Sequence, residues 1–231
     1  MLLWYLLSIK INNNLILPSF TEVFVYMLGQ LNDLDFWSAL FATIIRLTKS
    51  IVICLTISLS LGILIARFNF IKYLLQPLDV LLKTIPNITY IIVAIIWLGK
   101  ESSSTLVVSL VVFPIMYQNI IYGFQIKNKE EQEVLKIYPE KFSVVLTKIL
   151  FPELIPQLII ALKTSVSLGF KVCVMAEIFA FVNLGMGRLM YSARTNLDMT
   201  ALFALSFWII IIAYLFDLFF DKIFKLIINK Y

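Results

Sequence analysis

Long apolar runs with almost no charge constrain the fold of this chain more than any other feature. Residues 206–220 form one such run, in which Asp217 is the single charged side chain. About 20 helical residues are needed to cross the roughly 30 Å hydrocarbon layer of a membrane. Backbone groups in lipid must be satisfied within helices or closed barrels, and barrel strands would be short with alternating polarity. The runs therefore predict an all-α, polytopic transmembrane helical bundle.

The composition excludes several classes of function. Charged residues make up 14% of the chain and apolar residues 61%, whereas soluble domains have about a quarter and a half. Basic cytoplasmic loops account for the net charge of +5, so no nucleic-acid partner is expected. Histidine and a GxxxxGK[ST] phosphate loop are both absent from the sequence, and Cys54 and Cys173 lie inside apolar runs. We expect no catalytic residue, no metal and no cofactor.

The apolar runs predict five full membrane crossings. They lie at residues 50–66, 78–98, 105–124, 154–181 and 201–224.

Two prolines and one N-terminal extension modify this pattern. Pro86 and Pro114 predict breaks or kinks in the second and third crossings, because proline lacks an amide donor. The first crossing extends back to residue 36 through a piece that is amphipathic or tilted, since it carries Arg46 and Lys49. Residues 36–231 are thus expected to form the transmembrane domain.

Residues 1–35 are expected to form a separate N-terminal region. The apolar run at 1–9 is too short to span a membrane, so it is either a truncated first helix or an interfacial one. A moderately apolar piece at 21–31 is interpreted as an interfacial helix.

Basic residues are distributed unevenly between the predicted loops. If the charged loop at 125–148 is cytoplasmic, eleven lysines and arginines lie on its side of the membrane and three on the other. Cytoplasmic loops of membrane proteins carry such an excess. We therefore expect a multi-pass protein of the inner membrane with a cytoplasmic C-terminus.

The charged segment at residues 130–156 is the most informative part of the chain. It has about 20 residues of amphipathic helical pattern between two predicted crossings. Its spacing resembles the EAA signature of ABC importer permeases, in which EAA is followed at fixed intervals by glycine, isoleucine and Leu-Pro. Three positions match the signature: Glu133, Ile149 and Pro152. Four positions depart from it: Val134, Leu135, Pro139 and Phe151.

The departure at Pro139 bears on how this segment would work. Glycine and proline both break a helix, so Pro139 can keep a turn between two short helices. It cannot adopt the positive φ that glycine allows. The geometry of the segment is therefore expected to differ somewhat from that of the family.

The resemblance extends over nearly the whole chain and is closest to the nitrate, sulfonate and taurine branch of these permeases. The pieces that carry it occur in the family's order and spacing: Leu17-Pro18-Ser19, Ile85-Pro86, Trp97-Leu98-Gly99, Phe113-Pro114, Ala176-Glu177 and Gly185-Met186-Gly187. The resemblance implies a bundle of the ABC importer permease (MetI-like) type.

The resemblance implies that separate protein chains carry out the separate steps of transport. Two permease subunits, identical or closely related, form a translocation pathway for a small anionic solute. Cytoplasmic ATPase subunits hydrolyse ATP, and an extracytoplasmic binding protein delivers the substrate. The loop at 125–152 would couple to the ATPase through Glu133, Val134, Leu135, Pro139, Ile149 and Pro152. Two alternatives remain, namely an ordinary solvated loop and a Glu133 that only pairs with Lys129 or Lys136.

Lys171 and Glu177 are charges deep within a predicted crossing. Such charges are costly unless they face protein or water. They are six residues apart, about 240° around a helix, so a direct pair between them is awkward. Either they line the translocation path, where Lys171 would favour an anion, or they form buried ion pairs with other helices or the second subunit. Gly185 and Gly187 mark a tight loop that gates the path, meets a binding protein or only allows a turn.

Two other classes of protein fit these features less well than a permease does. A secondary transporter is disfavoured because the chain is short, lacks an evident inverted repeat and has few intramembrane carboxylates. A membrane scaffold would explain neither the broken helices nor the charged loop.

Overall fold

Every regular element among the described residues is helical in the computed structural model. The structure describes residues 2–11, 13, 15–125, 133, 135 and 137–228. The predicted all-helical fold class is confirmed for this part of the chain. The elements are α1 (Leu2–Ile11), α2 (Phe20–Gln30), α3 (Leu34–Arg67), α4 (Phe70–Thr84), α5 (Asn87–Gly123), α6 (Phe142–Val145), a π-helical segment (Leu146–Leu150), α7 (Phe151–Ala180), α8 (Met186–Thr195) and α9 (Met199–Ile228).

Within the described part of the chain, four stretches of helix are long and apolar enough to cross a membrane: Leu34–Arg67, Asn87–Gly123, Phe142–Ala180 and Met199–Leu226. A multi-pass helical bundle is therefore supported, but the predicted count of five crossings is not confirmed. The difference lies in residues 70–123. There α4 has only 15 residues, and α5 combines the end of one predicted crossing with the whole of the next.

The predicted break at Pro86 is confirmed, whereas the irregularity expected at Pro114 lies elsewhere. α4 ends at Thr84, and α5 begins at Asn87 directly after Pro86. Within α5 the non-helical backbone is at Gly99, with φ 71° and ψ −176°. Glycine adopts such a positive φ without the steric cost that other residues bear. Pro114 is buried, and neighbouring helices can compensate a proline in such a position.

α3 runs parallel to the second half of α5. Arg46 pairs with Glu101, and the Ser50 hydroxyl donates to the Thr105 carbonyl oxygen at 2.9 Å. The Cys54 thiol lies 3.2 Å from the Ser109 carbonyl oxygen. Each pair is 55 residues apart, so the two helices keep one register. Residues 68–98 must therefore lead the chain back along the length of α3.

α7 occupies the centre of the bundle and packs against α3, α5, α8 and α9. It runs antiparallel to α5, since Leu154 lies beside Gly123 and Gly169 lies beside Val108. It also runs antiparallel to α9, because Phe170 packs edge-on against Phe216 and Lys163 pairs with Asp221. α7 therefore contacts a different helix on each of several sides.

The N-terminal helices pack on the last helix of the bundle. The predicted helix at 21–31 corresponds to α2, which begins at a capping box formed by Ser19 and Glu22. Val23 of α2 is buried in a small cluster with Ala204 of α9. Trp4 of α1 stacks on Phe207 and donates its indole N–H to the Pro18 carbonyl oxygen at 2.9 Å. The aromatic contacts thus join the N-terminal region to α9.

Candidate functional site

The residues matched to the EAA signature lie in a short helical piece, in the π-helical segment and at the start of α7. Glu133 is helical and exposed, and Leu135 is helical and half-buried. Val134 lies outside the described residues. Pro139 is exposed in the non-helical stretch before α6. Ile149 is half-buried in the π-helical segment, and Pro152 is exposed in α7. None of these positions bears on coupling by itself, so their role stays a prediction.

Two large apolar side chains beside Pro139 are exposed. Ile137 is 70% exposed and Tyr138 is 72% exposed. They lie four and five residues after Glu133 and directly before Pro139. Tyrosine is among the residues most enriched at the energetic centre of protein–protein interfaces. The described part of this loop therefore presents an apolar pair and a carboxylate to its surroundings.

A continuous helix leads from this loop through the whole bundle. Phe142–Ala180 contains 39 residues, which is about 58 Å of helix and far more than the roughly 30 Å hydrocarbon layer. The π-helical segment Leu146–Leu150 interrupts its regular hydrogen bonding near the N-terminal end. Pro152 explains part of this, because it has no N–H to donate to the carbonyl of residue 148.

The start of this helix is attached to the ends of α3 and α5. The Arg67 guanidinium lies 5.4 Å from the centre of the Phe142 ring, and Phe151 packs edge-on against Phe124. A cavity of about 590 Å³ lies between these elements, and Arg67, Lys72 and Glu140 are among its lining residues. The start of this helix is therefore held against the bundle by two aromatic side chains, Phe142 beside Arg67 and Phe151 beside Phe124.

Glu177 lies fully buried at the other end of α7, in a cluster of hydrogen bonds. Arg46 of α3 donates Nη1–H to Oε1 at 2.8 Å. The Thr43 hydroxyl lies 2.9 and 3.0 Å from the two carboxylate oxygens, and the Gly187 N–H donates to Oε2 at 2.9 Å. A buried carboxylate needs this kind of compensation, because an unpaired charge would be costly in the interior. We call Thr43, Arg46, Glu101 and Glu177 the Glu177 cluster.

Gly185 and Gly187 fit closely around Glu177. A Cβ on Gly187 would lie 2.4 Å from the Cβ of Glu177, and one on Gly185 would lie 2.6 Å from its Oε2. Gly185 also has a φ of 152°, which disfavours other residues. The two glycines therefore allow the turn before α8 to pass over the carboxylate.

Arg46 connects the members of the Glu177 cluster on α5 and α7 with this turn. Its Nη2 pairs with Glu101, and its Nη1 also donates to the Leu184 carbonyl oxygen at 2.6 Å. The second oxygen of Glu101 accepts the Asn183 N–H at 2.7 Å. One guanidinium thus holds together α3, α5, α7 and the segment between α7 and α8.

Lys171 is separated from this cluster. Its side chain is exposed on α7, and it forms no ion pair with any residue that the structure describes. The structure does not bring Lys171 and Glu177 together, in agreement with their separation of about 240° around the helix. Glu177 faces Arg46, and Lys171 faces away from the protomer.

Several residues of these sites were not singled out from the sequence. Arg46 was noted as a sign of an amphipathic helix, although two opposite charges within apolar runs, Arg46 and Glu177, already suggest a pair. Thr43 gives no local signal. Ile137 and Tyr138 lie inside the matched segment, but a sequence does not show whether an apolar side chain is covered.

The sequence is similar to known membrane transport proteins. The profile of the family described as binding-protein-dependent transport system inner membrane component matches residues 58–231. The taurine transport system permease protein of Escherichia coli (strain K12) is 23% identical over 187 residues, which cover 80% of this chain and 68% of that protein. A putative ABC transporter permease protein of Methanocaldococcus jannaschii is 26% identical over 235 residues, which cover 99% of this chain and 86% of that one.

A third relative covers less of the chain. The nitrate import permease protein of Synechocystis sp. (strain PCC 6803) is 26% identical over 140 residues, which cover 60% of this chain and 50% of that protein. The family match spans three quarters of the sequence, and its members are transport subunits rather than enzymes. This chain therefore belongs to the binding-protein-dependent transport system inner membrane component family, the permease subunits of ABC transporters.

Proposed function

We propose that this chain forms, with a second permease copy, the translocation pathway of an importer for a small anionic solute. A cytoplasmic ATPase would drive the importer through the loop at 125–152, and an extracytoplasmic binding protein would supply the substrate. The observation that carries the proposal is the exposed pair Ile137 and Tyr138, which lies within the stretch that matches the EAA signature. Such a pair suits an anchor in a groove of a partner protein.

The path from this anchor into the membrane supports the coupling role. Pro139 separates the short helical piece from the 39-residue helix Phe142–Ala180. A partner that moves the short piece would push on one end of a long helix that contacts α3, α5 and α9. Glu133, Leu135 and Pro139 would form the docking piece, with Val134 between them. Ile149 and Pro152 would transmit its movement.

Five crossings with a cytoplasmic C-terminus account best for the direction of the helices. α3 and the second half of α5 run parallel, so residues 70–98 would provide the crossing between them, broken at Pro86. α7 and α9 then alternate in direction. The excess of basic residues on the side of the 125–148 loop supports placing that loop and the C-terminus in the cytoplasm.

The solute class is inferred from relatives and from charge. The names of the relatives include taurine and nitrate, and both compounds carry a negatively charged oxygen-rich group. Lys171 is exposed in a membrane-spanning helix, and we propose that it faces the path. Glu177 we assign to holding Arg46 and the turn before α8, rather than to solute contact.

Co-purification from the native membrane in a gentle detergent tests the proposal. The wild-type chain is compared with an Ile137→Ala, Tyr138→Ala double variant, with a Glu133→Arg, Pro139→Gly double variant and with Tyr73→Ala. Tyr73 is 67% exposed on α4 and serves as a matched control. Partner chains are identified and quantified by mass spectrometry.

We expect an ATPase subunit with the wild type and with Tyr73→Ala. Loss of two interface anchors, each contributing about 1–2 kcal/mol, reduces its recovery by roughly ten-fold or more. Equal recovery with both loop variants would contradict the assignment of the docking piece. Absence of any ATPase, under conditions that preserve other transporter complexes, would refute the importer and favour a secondary transporter.

A further inference from the structure

One face of α7 is left uncovered by the other residues that the structure describes. Ile160, Thr164, Ser167 and Lys171 lie on it, within about 60° of arc at 100° per residue. Ile160, Thr164 and Lys171 are exposed, and Ser167 is half-buried. We call these four residues the α7 strip. Three of the four side chains are polar.

Contacts on the other sides of α7 fix the direction of the strip. Gly169 lies so close to α3 that a Cβ there would be 2.9 Å from Cδ1 of Leu47. Phe170 is fully buried against Phe216, and Val172 is buried in the core. α7 therefore cannot rotate about its axis without breaking these contacts, and the strip must point away from α3, α5 and α9.

Contact with lipid would be unfavourable for the α7 strip. Lys171 is nine residues from Ala180, about 13 Å along the helix from its outer end. A charge at such depth needs water or a partner. Lys163 on the same helix has one, because it pairs with Asp221. Lys171 has no carboxylate partner among the residues that the structure describes.

The strip has the composition of a path for anions. Hydroxyl groups can hydrogen-bond to a solute, and Lys171 places one positive charge among them. No acidic side chain lies on this face between Ile160 and Ala180, since Glu177 is turned toward Arg46. A positive charge in a narrow aqueous space concentrates anions and repels cations.

We infer that the α7 strip lines the aqueous path, and that Lys171 is a specificity-determining residue that selects anionic solutes. This inference rests on the proposed transport function. It names the surface and the charge by which that function would discriminate between solutes.

Reaction of an introduced cysteine with charged reagents tests the inference without knowledge of the natural substrate. A Thr164→Cys variant is prepared with Lys171 intact and with Lys171→Gln, and both are assembled with their partners in native membranes. The rates of modification by an anionic sulfonatoethyl methanethiosulfonate and by a cationic trimethylammonium analogue are measured. Cys54 and Cys173 are both buried, so the parent chain provides the background rate.

The expected change follows from the distance between the two positions. Thr164 and Lys171 are seven residues apart, about 10.5 Å along the helix. Even with the dielectric constant of water, one unit charge at this distance changes the rate for each reagent about two-fold, in opposite directions. Lys171→Gln should therefore lower the ratio of anionic to cationic modification about four-fold or more. Lys49→Gln, an exposed lysine on α3, should leave the ratio unchanged.

Two outcomes would overturn the inference. If the Thr164→Cys variant reacts with neither reagent, while a cysteine at the exposed Asn183 reacts with both, the strip does not face water. If it reacts but the ratio is the same with Lys171→Gln, Lys171 does not set selectivity. Because ATPase co-purification is measured on the same variants, an assembled complex with either result removes this inference and leaves the proposed function standing.

Discussion

Replacement of Arg46 by methionine should destabilise the fold more than any other single change to a charged residue discussed for this chain. Arg46 bonds to Glu177, Glu101 and the Leu184 carbonyl oxygen. Its removal leaves the fully buried Glu177 carboxylate with hydrogen bonds from Thr43 and Gly187 but without a positive charge. The turn before α8 also loses its attachment to α3.

The size of the effect can be worked out from this geometry. Removing one partner of a buried ion pair costs about 3–5 kcal/mol. The two hydrogen bonds that remain on Glu177 place the expected loss near the lower end, about 3 kcal/mol. For a domain of about this size, each kcal/mol lowers Tm by roughly 2–4 °C. We therefore expect Arg46→Met to lower Tm by about 6–12 °C.

Glu177→Gln should cost less than Arg46→Met. The amide oxygen can still accept from Thr43 and Gly187, and Arg46 keeps its pair with Glu101. The double variant should be more stable than the sum of the two single losses predicts, because no buried carboxylate is then left without a partner. Residues in one hydrogen-bond network commonly show such interaction energies of about 0.5–3 kcal/mol.

Thermal unfolding in detergent, followed with a thiol-reactive fluorophore, measures these losses. The dye reports exposure of Cys54 and Cys173, which are buried in the folded chain and unchanged in every variant. Arg188→Met is the control, since its pair with Asp35 lies at the surface and should contribute at most about 1 kcal/mol. The reasoning would be refuted if Arg46→Met lowered Tm by less than about 2 °C. It would also be refuted if the stability loss of the double variant equalled the sum of the two single losses.

Further predictions concern three glycines, and the same unfolding assay checks them. Gly187→Ala places a methyl group against the Cβ of Glu177 and the Ile178 backbone, so it should cost about 1–3 kcal/mol. Gly29→Ala in α2 meets no atom within 4 Å and should be neutral or stabilise by up to about 1 kcal/mol; an equal loss at both positions would argue against the close fit at Gly187. Gly99→Ala also meets no atom, yet its positive φ should cost about 1–2 kcal/mol, and a neutral result would show that the backbone there relaxes.

The general fold could be predicted from the sequence because run length and polarity are local properties. The break at Pro86 was equally predictable, since it follows from the chemistry of proline. The irregularity at Gly99 was not, although Trp97-Leu98-Gly99 had been noted as part of the resemblance. Glycine permits a positive φ without requiring it, and only the packing of the two halves of α5 decides whether it is used.

The Glu177 cluster shows how far a site can be predicted from the sequence. Its carboxylate, Glu177, was recognised as a charge that must face protein or water. Its partner lies 131 positions earlier in the chain, and no local pattern connects the two. The turn with Gly185 and Gly187 was likewise noted, but its close approach to Glu177 depends on the path of the chain between α7 and α8.

One helix joins the two regions on which the proposed function depends. Pro152 near the N-terminal end of Phe142–Ala180 and Glu177 near its C-terminal end are 25 residues apart, about 37 Å along the axis. The helix is unbroken between Pro152 and Glu177. If the docking piece moves, either the π-helical segment absorbs the displacement or Glu177 moves together with Pro152. Glu177 is bonded to α3 and to the turn before α8. A movement that begins at the loop would then reach the opposite side of the bundle through Arg46.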